Sequence, residues 1–144
     1  MRQIRVLVAD DNERFGSLLS RFVASHHDMQ VVGVAGGGRE VMSMAESSQP
    51  DVVLMDLYMP DMDGFEATRL LASTQPCTKV IAITASRLEE SRQRSLDAGA
   101  AAFIPKIRVD TDLIEAIRDL TSAGRQGDDS TPSAGLEEPT PGTY

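Results

Sequence analysis

The chain has 144 residues, enough for one domain with a proper core and an extension but not for a second sizeable domain. Its 14 lysines and arginines against 22 aspartates and glutamates give a net charge of −8, which argues against direct nucleic-acid binding. The single cysteine, Cys77, argues against a disulfide and favours the cytoplasm, and no apolar run approaches the ~20 residues of a membrane span.

Short runs rich in valine and isoleucine alternate with stretches of helical periodicity. The runs predict buried strands at 4–9, 29–34, 52–55, 79–84 and 102–104. The first helix is predicted from one apolar face with helical spacing: Phe15, Leu18, Leu19, Phe22 and Val23. Further helices are predicted at 39–47, 65–73, 88–98 and 112–121. Asp110 or Thr111 would cap the last helix, and Gly99 and Gly124 would end the last two.

Strands that alternate with helices indicate βαβ units and therefore a parallel sheet covered on both faces. The predicted fold class is α/β, doubly wound, and residues 1–121 would form this domain. From Ser122 onward the chain is rich in Gly, Pro, Ser, Thr and acidic residues, with too few large apolar side chains to offset the entropy of ordering. Residues 122–144 are therefore predicted to be a disordered tail or linker.

Polar residues lie at the carboxyl ends of four predicted strands, where the functional crevice of an open α/β sheet lies. Asp10 and Asp11 follow the first strand, and Asp56 follows the third. Thr84 closes the fourth strand, and Lys106 comes just after the fifth. Three converging carboxylates would repel one another unless a cation joined them, and an all-oxygen site of this kind suits Mg²⁺.

These residues belong to short sequence motifs that follow one another in a set order along the chain. The motifs are Asp10-Asp11, Asp56 within "MDLYMPDMDG", Thr84-Ala85 and Phe103-x-x-Lys106. Over about residues 3–121 the chain resembles the receiver domain of bacterial two-component response regulators. The resemblance implies a flavodoxin-like sheet of five strands in the order 2-1-3-4-5.

The resemblance also implies a role for each site residue. Asp56 would accept a phosphoryl group from a histidine kinase, with Lys106 and Thr84 beside it. The implied Mg²⁺ ligands are Asp11, Asp56 and the main-chain carbonyl of Tyr58, with Asp10 acting mostly through water.

The residue types agree with these roles. A carboxylate can attack phosphorus if the charge on the phosphoryl oxygens is neutralised, and Mg²⁺ and Lys106 would do this. The chain has only two lysines against twelve arginines, so a lysine at this strand end is unlikely to be a random surface charge. A switch is also expected: the Thr84 hydroxyl would bond to the new phosphate, and Phe103 would fill the vacated space.

One feature departs from the family pattern. Receivers often have a proline directly after the lysine, with a cis bond between the two, whereas here the order is Pro105-Lys106-Ile107. A cis bond before Ile107 would cost roughly 3 kcal/mol, so a trans bond is expected.

Structural roles compete with these functional ones. Asp10-Asp11 alone could cap a helix, Thr84 could be only a strand residue and Phe103 only part of the core. Asp61 and Asp63 are interpreted as turn and cap residues outside the site.

Two other functions remain as alternatives. An aspartyl-nucleophile Mg²⁺ phosphatase would resemble "DxDxT" after a strand, but Leu57 and Tyr58 follow Asp56, so its general acid is missing. A flavin carrier of the same strand order would need a Ser/Thr/Gly phosphate loop where this chain has Asp10-Asp11-Asn12.

The expected partners are a sensor histidine kinase or phosphotransfer protein, and an output domain or partner protein. The last strand and helix, "GAAAFIPKIRVDTDLIEAIRDL", resemble receivers that precede a helix-turn-helix DNA-binding domain, and residues 122–144 would suit a linker to one. The chain is thus either a stand-alone receiver or part of a longer regulator, and neither nucleic acid nor membrane is an expected direct partner.

Overall fold

The computed structural model of the protein describes residues 2–85 and 89–129, and from residue 123 onward it describes the backbone alone. The strands are β1 (Ile4–Ala9), β2 (Met29–Ala35), β3 (Val52–Asp56), β4 (Lys79–Thr84) and β5 (Ala102–Pro105). The helices are α1 (Glu13–Ala24), α2 (Gly38–Ser48), α3 (Gly64–Thr74), α4 (Glu89–Ala98) and α5 (Val109–Asp129). All five predicted strands are confirmed, with ends that differ by at most one residue.

The strands form one parallel sheet in the order β2-β1-β3-β4-β5. Side chains alternate between its two faces, so Leu7 and Val53 enter one core while Val6 and Leu54 enter the other. Helices α1 and α5 cover the second face, and α2 and α3 cover the first. The central strand β3 is buried along its whole length. This is the predicted doubly wound α/β fold, and it brings the carboxyl ends of β1, β3, β4 and β5 to one edge.

The connection from β3 to α3 is tightly folded at that edge. Gly64 begins α3, and a side chain there would collide with the main chain of Asp56 and Leu57. Asp63 caps α3 by accepting a hydrogen bond from the Glu66 N–H at 2.8 Å, which confirms the predicted cap. Asp61 instead accepts hydrogen bonds from the first N–H groups of α2, whose own cap residue is a glycine. Both carboxylates therefore stabilise helix ends.

The predicted apolar face of α1 is partly wrong. Leu19 and Val23 are buried, but the Leu18 side chain is 52% exposed. Gly16 is buried in its place, because the stripe of α1 that meets the sheet is rotated toward Gly16 and away from Leu18.

The predicted ends of the last helices need correction at α5 only. Gly99 follows α4 in the left-handed region at φ 116°, as predicted. Helix α5 begins at Val109, directly after a single 3-10 turn at Lys106–Arg108, so Asp110 and Thr111 lie within its first turn and are not its caps. It also continues through Gly124, because a glycine lowers helix propensity but removes no hydrogen bond.

The boundary predicted at residue 122 therefore falls inside α5, which extends to Asp129. The remainder of the predicted tail, 130–144, and the predicted start of α4 at Leu88 lie outside the described residues. Among the helices that the structure describes, none is long and apolar enough to cross a membrane.

Candidate functional site

Three carboxylates meet at the carboxyl edge of the sheet. Asp10 and Asp11 follow β1, and Asp56 is the last residue of the neighbouring strand β3. One carboxylate oxygen from each lies within 4.8 Å of the others. Asp10 and Asp56 are buried, at 3% and 6% exposure, whereas Asp11 is exposed. The cluster thus lies in a crevice that opens to solvent beside Asp11.

Within the part of the chain that the structure describes, one cation enters this cluster. The Lys106 ammonium lies 3.0 Å from an Asp10 carboxylate oxygen and 4.0 Å from an oxygen of Asp56. The same ammonium lies over the Phe15 ring, 4.3 Å from the ring centroid. Among the described residues this is the single positive charge at the cluster, and it leaves the three carboxylates under-neutralised when all are ionised.

The pKa of Asp56 is raised by its burial and by its acidic neighbours. Burial, followed by the charge of Asp10, raises the pKa of Asp56 from its usual 3.8 to about 7. The Lys106 charge and the Tyr58 N–H, which donates to Asp56 Oδ1 at 3.3 Å, lower the pKa but do not compensate. An oxygen-rich cluster that is short of positive charge fits a hard divalent cation such as Mg²⁺.

Local hydrogen bonds hold the β1–α1 connection. The Asn12 N–H donates to Asp10 Oδ1 at 2.7 Å, and Asn12 Oδ1 accepts from the Phe15 N–H at 3.0 Å. Asn12 is therefore the cap of α1, a role that the sequence alone had left open for Asp10-Asp11.

Tyr58 connects the site to α4. Its hydroxyl lies 2.7 Å from the Ser91 hydroxyl, and its ring packs edge-to-face on Phe65, with centroids 5.8 Å apart. The Arg94 guanidinium covers the Phe65 ring at 3.9 Å. The sequence predicts a role only for the main chain of Tyr58, because nothing in the local pattern pairs its side chain with a serine 33 residues away.

Of the other predicted site residues, Thr84 lies at the same edge, and Phe103 lies one strand over, two residues before the end of β5. Thr84 is the last residue of β4 and is 1% exposed. Phe103 lies on β5 and is half-buried against the core that contains Leu57. The bond between Lys106 and Ile107 is trans, as expected, since no cis peptide bond occurs in the described residues.

The sheet order and this edge define a class of protein. A doubly wound 2-1-3-4-5 sheet with an acidic cluster and a lysine at its carboxyl edge is the architecture expected of a receiver. A model of the response regulator receiver domain family matches residues 6–118, so the chain belongs to this family. Its members are signalling switches of two-component systems.

Curated relatives agree with this assignment. The chain is 41% identical over 123 residues to the response regulator GacA of Pseudomonas viridiflava, and 37% identical over 121 residues to the response regulator protein VraR of Staphylococcus aureus. These matches cover 85% and 84% of this chain but only 57% of each relative. The chain thus spans little more than half the length of these proteins.

Solved structures share the fold. The receiver domain of the putative response regulator NarL from Mycobacterium tuberculosis superposes with a TM-score of 0.80 at 30% identity, covering 85% of this chain and 98% of that one. The response regulator domain of Thermotoga maritima CheB gives a TM-score of 0.78 at 32% identity, covering 84% and 98%. None of these similarities supports the phosphatase alternative.

Proposed function

We propose that this chain is the phosphorylation-controlled receiver of a two-component system and that Asp56 is its phosphoacceptor. The observation that carries the proposal is the cluster at the sheet edge, where Asp56 ends β3 with Asp10, Asp11 and Lys106 within ion-pair or ligand distance. No turnover is proposed beyond the chain's own phosphorylation and dephosphorylation.

The reaction follows from these groups. A carboxylate oxygen of Asp56 attacks the phosphorus of a phosphohistidine, an O–P bond forms, the N–P bond breaks, and the imidazole nitrogen leaves with the electron pair. The Lys106 ammonium neutralises one phosphoryl oxygen, and the Thr84 hydroxyl donates a hydrogen bond to another. A bound Mg²⁺, held by Asp10, Asp11, Asp56 and the Tyr58 carbonyl, would supply the remaining positive charge.

The signal would leave through β4 and β5. Movement of Thr84 toward the phosphate frees space beside β5, and the half-buried Phe103 ring turns into it. Such a two-position element changes the surface near these strands when the charge at Asp56 changes.

The partners follow from the relatives. A histidine kinase or phosphotransfer protein would supply the phosphoryl group in the cytoplasm, and an output domain or partner protein would read the altered surface. The matches cover 57% of GacA and of VraR, so the remaining 43% of each relative is long enough to contain an output domain.

A mass measurement tests the assignment of Asp56. The protein is incubated with acetyl phosphate and Mg²⁺, and intact mass should rise by one phosphoryl group, whereas Asp56→Asn should gain none. Asp63→Asn is the matched control, because Asp63 only caps α3 and asparagine caps equally well. Equal labelling of Asp56→Asn would contradict the assignment.

A further inference from the structure

The Lys106 ammonium has two kinds of neighbour. One kind is acidic, with Asp10 at 3.0 Å and Asp56 at 4.0 Å. The other is the face of the Phe15 ring, whose centroid lies 4.3 Å from Nζ. The Lys106 side chain is 21% exposed, so this contact is made in a partly desolvated place, where a cation on an aromatic face is attracted more strongly than in water.

The main chain of Phe15 is held by the site, and its ring is held by the core. Phe15 lies in the first turn of α1, and its N–H bonds to Asn12 Oδ1, while the Asn12 N–H bonds to Asp10 Oδ1. The ring also packs against the core formed between α1, α5 and the sheet. Two short hydrogen bonds through Asn12 therefore fix the main chain of Phe15 relative to Asp10, the acid that pairs with Lys106.

The two contacts respond differently to a metal ion. A divalent cation held by the acidic cluster would compete with Lys106 for the oxygens of Asp10 and Asp56, but it would not compete for a neutral ring. A lysine side chain has four flexible carbons, so an ammonium that loses its carboxylate contact would otherwise leave the crevice. We infer that Phe15 is a positioning residue that holds the Lys106 ammonium beside Asp56 through its ring face. The inference deepens the proposed function, because it explains how Lys106 stays within reach of a phosphoryl oxygen.

Lysine NMR tests this directly. The chain has two lysines, Lys79 and Lys106, so protein labelled with ¹³C at the lysine ε-carbon gives two side-chain signals, one of which is an internal reference. The ε-protons of Lys106 should resonate upfield of those of Lys79, with a nuclear Overhauser effect to the Phe15 ring, both with and without MgCl₂. Phe15→Leu should abolish the upfield shift, and Phe15→Tyr should keep it.

A matched control separates positioning from packing. Phe22 lies on the same helix and packs against the same core, but its ring contacts His26, so Phe22→Leu should leave the Lys106 signal unchanged. With acetyl phosphate and Mg²⁺, labelling of Asp56 should slow by about 3- to 10-fold in Phe15→Leu, recover in Phe15→Tyr and stay normal in Phe22→Leu.

Three results would overturn the inference: an unchanged Lys106 signal in Phe15→Leu, an equal loss in Phe22→Leu, or no Overhauser effect in the wild-type protein with MgCl₂. The last measurement needs no variant and decides the matter even if Phe15→Leu does not fold. If the lysine signals behave as expected but the wild-type protein takes no phosphoryl group, the positioning stands and the proposed function fails.

Discussion

At the scale of single residues, the described part of the site has three carboxylates and one ammonium, and so too little positive charge. A carboxylate at the end of a fully buried strand is costly unless it is paired, and Asp56 is paired with one shared ammonium. Asp10 is closer to that ammonium than Asp56 is, at 3.0 Å against 4.0 Å. Asp56 therefore receives the weaker compensation from Lys106, and burial, followed by the charge of Asp10, raises its pKa.

Mg²⁺ binding should depend on Asp11. Asp11→Asn removes a charged oxygen ligand from the cluster, so the dissociation constant for Mg²⁺ measured by calorimetry should rise at least about tenfold. Asp63→Asn should change it less than twofold, because that side chain caps α3. Equal weakening by both substitutions would place the metal elsewhere.

The raised pKa of Asp56 predicts a pH dependence of stability in metal-free buffer. The unfolded chain releases this proton near pH 3.8, but the folded chain keeps it to about pH 7, so the unfolded state binds fewer protons between these values. The free energy of unfolding should therefore fall as the pH rises from 4 to 7, by about 1 to 2 kcal/mol after solvent screening.

Asp56→Asn isolates this contribution. Urea unfolding at several pH values should show a stability gain over wild type that grows from pH 4 to pH 7 and is constant above it. Mg²⁺ should stabilise the wild type more at pH 8 than at pH 5, because metal binding displaces the proton. A gain that does not change with pH would show that the pKa of Asp56 is not raised.

At the scale of elements, α4 is held differently from the other helices. Its buried residues are Ser91, Ser95 and Ala98, none of which is a large apolar side chain. Its contacts to the phosphoacceptor side run through the Tyr58–Ser91 hydroxyl pair and the Arg94–Phe65 stack. An element with so little apolar burial can shift at low cost, which suits a surface that changes with phosphorylation.

Thr84→Ala should separate phosphorylation from this response. The variant should still take up phosphate on Asp56, because the carboxylates and Lys106 are untouched. Phosphorylation-induced NMR shifts around Phe103 and residues 89–98 should shrink by more than half, because the variant lacks the Thr84 hydroxyl that moves toward the phosphate. Shifts of undiminished size would mean that the signal reaches α4 by another route, for which the Tyr58–Ser91 contact is the nearest candidate.

At the scale of the whole molecule, the sheet and its five helices form the receiver, and α5 is its last described element. Leu113 and Ile117 bury α5 against the sheet, and Arg118 pairs with Asp28 at 2.9 Å beyond the end of α1. We propose that the receiver ends within α5 and that the residues after it act as a linker. If these residues are a linker, folding and phosphorylation should not depend on them.

Truncation after Asp129 tests whether the residues that follow α5 belong to the domain. The removed segment, 130–144, contains Leu136 and Tyr144 as its large apolar residues, too few to form a core of their own. The shortened chain should unfold within about 1 °C of the full chain and take up phosphate at the same rate. A clear loss of thermal stability or of labelling would assign residues 130–144 to the domain.

The sequence by itself determined the fold class and the grouping of the charged residues at one edge of the sheet. Strands that alternate with helices in chain order require parallel pairing, and parallel pairing brings every carboxyl end to one edge, so Asp10, Asp56 and Lys106 could be grouped without coordinates. Only the tertiary structure decided which of them touch. The exposure of Leu18 and the placement of Phe15 under Lys106 depend on how α1 is rotated against the sheet, and the local pattern does not encode that rotation. The contact between Phe15 and Lys106 joins residues far apart in the chain, so it exists only once the helices have packed on the sheet.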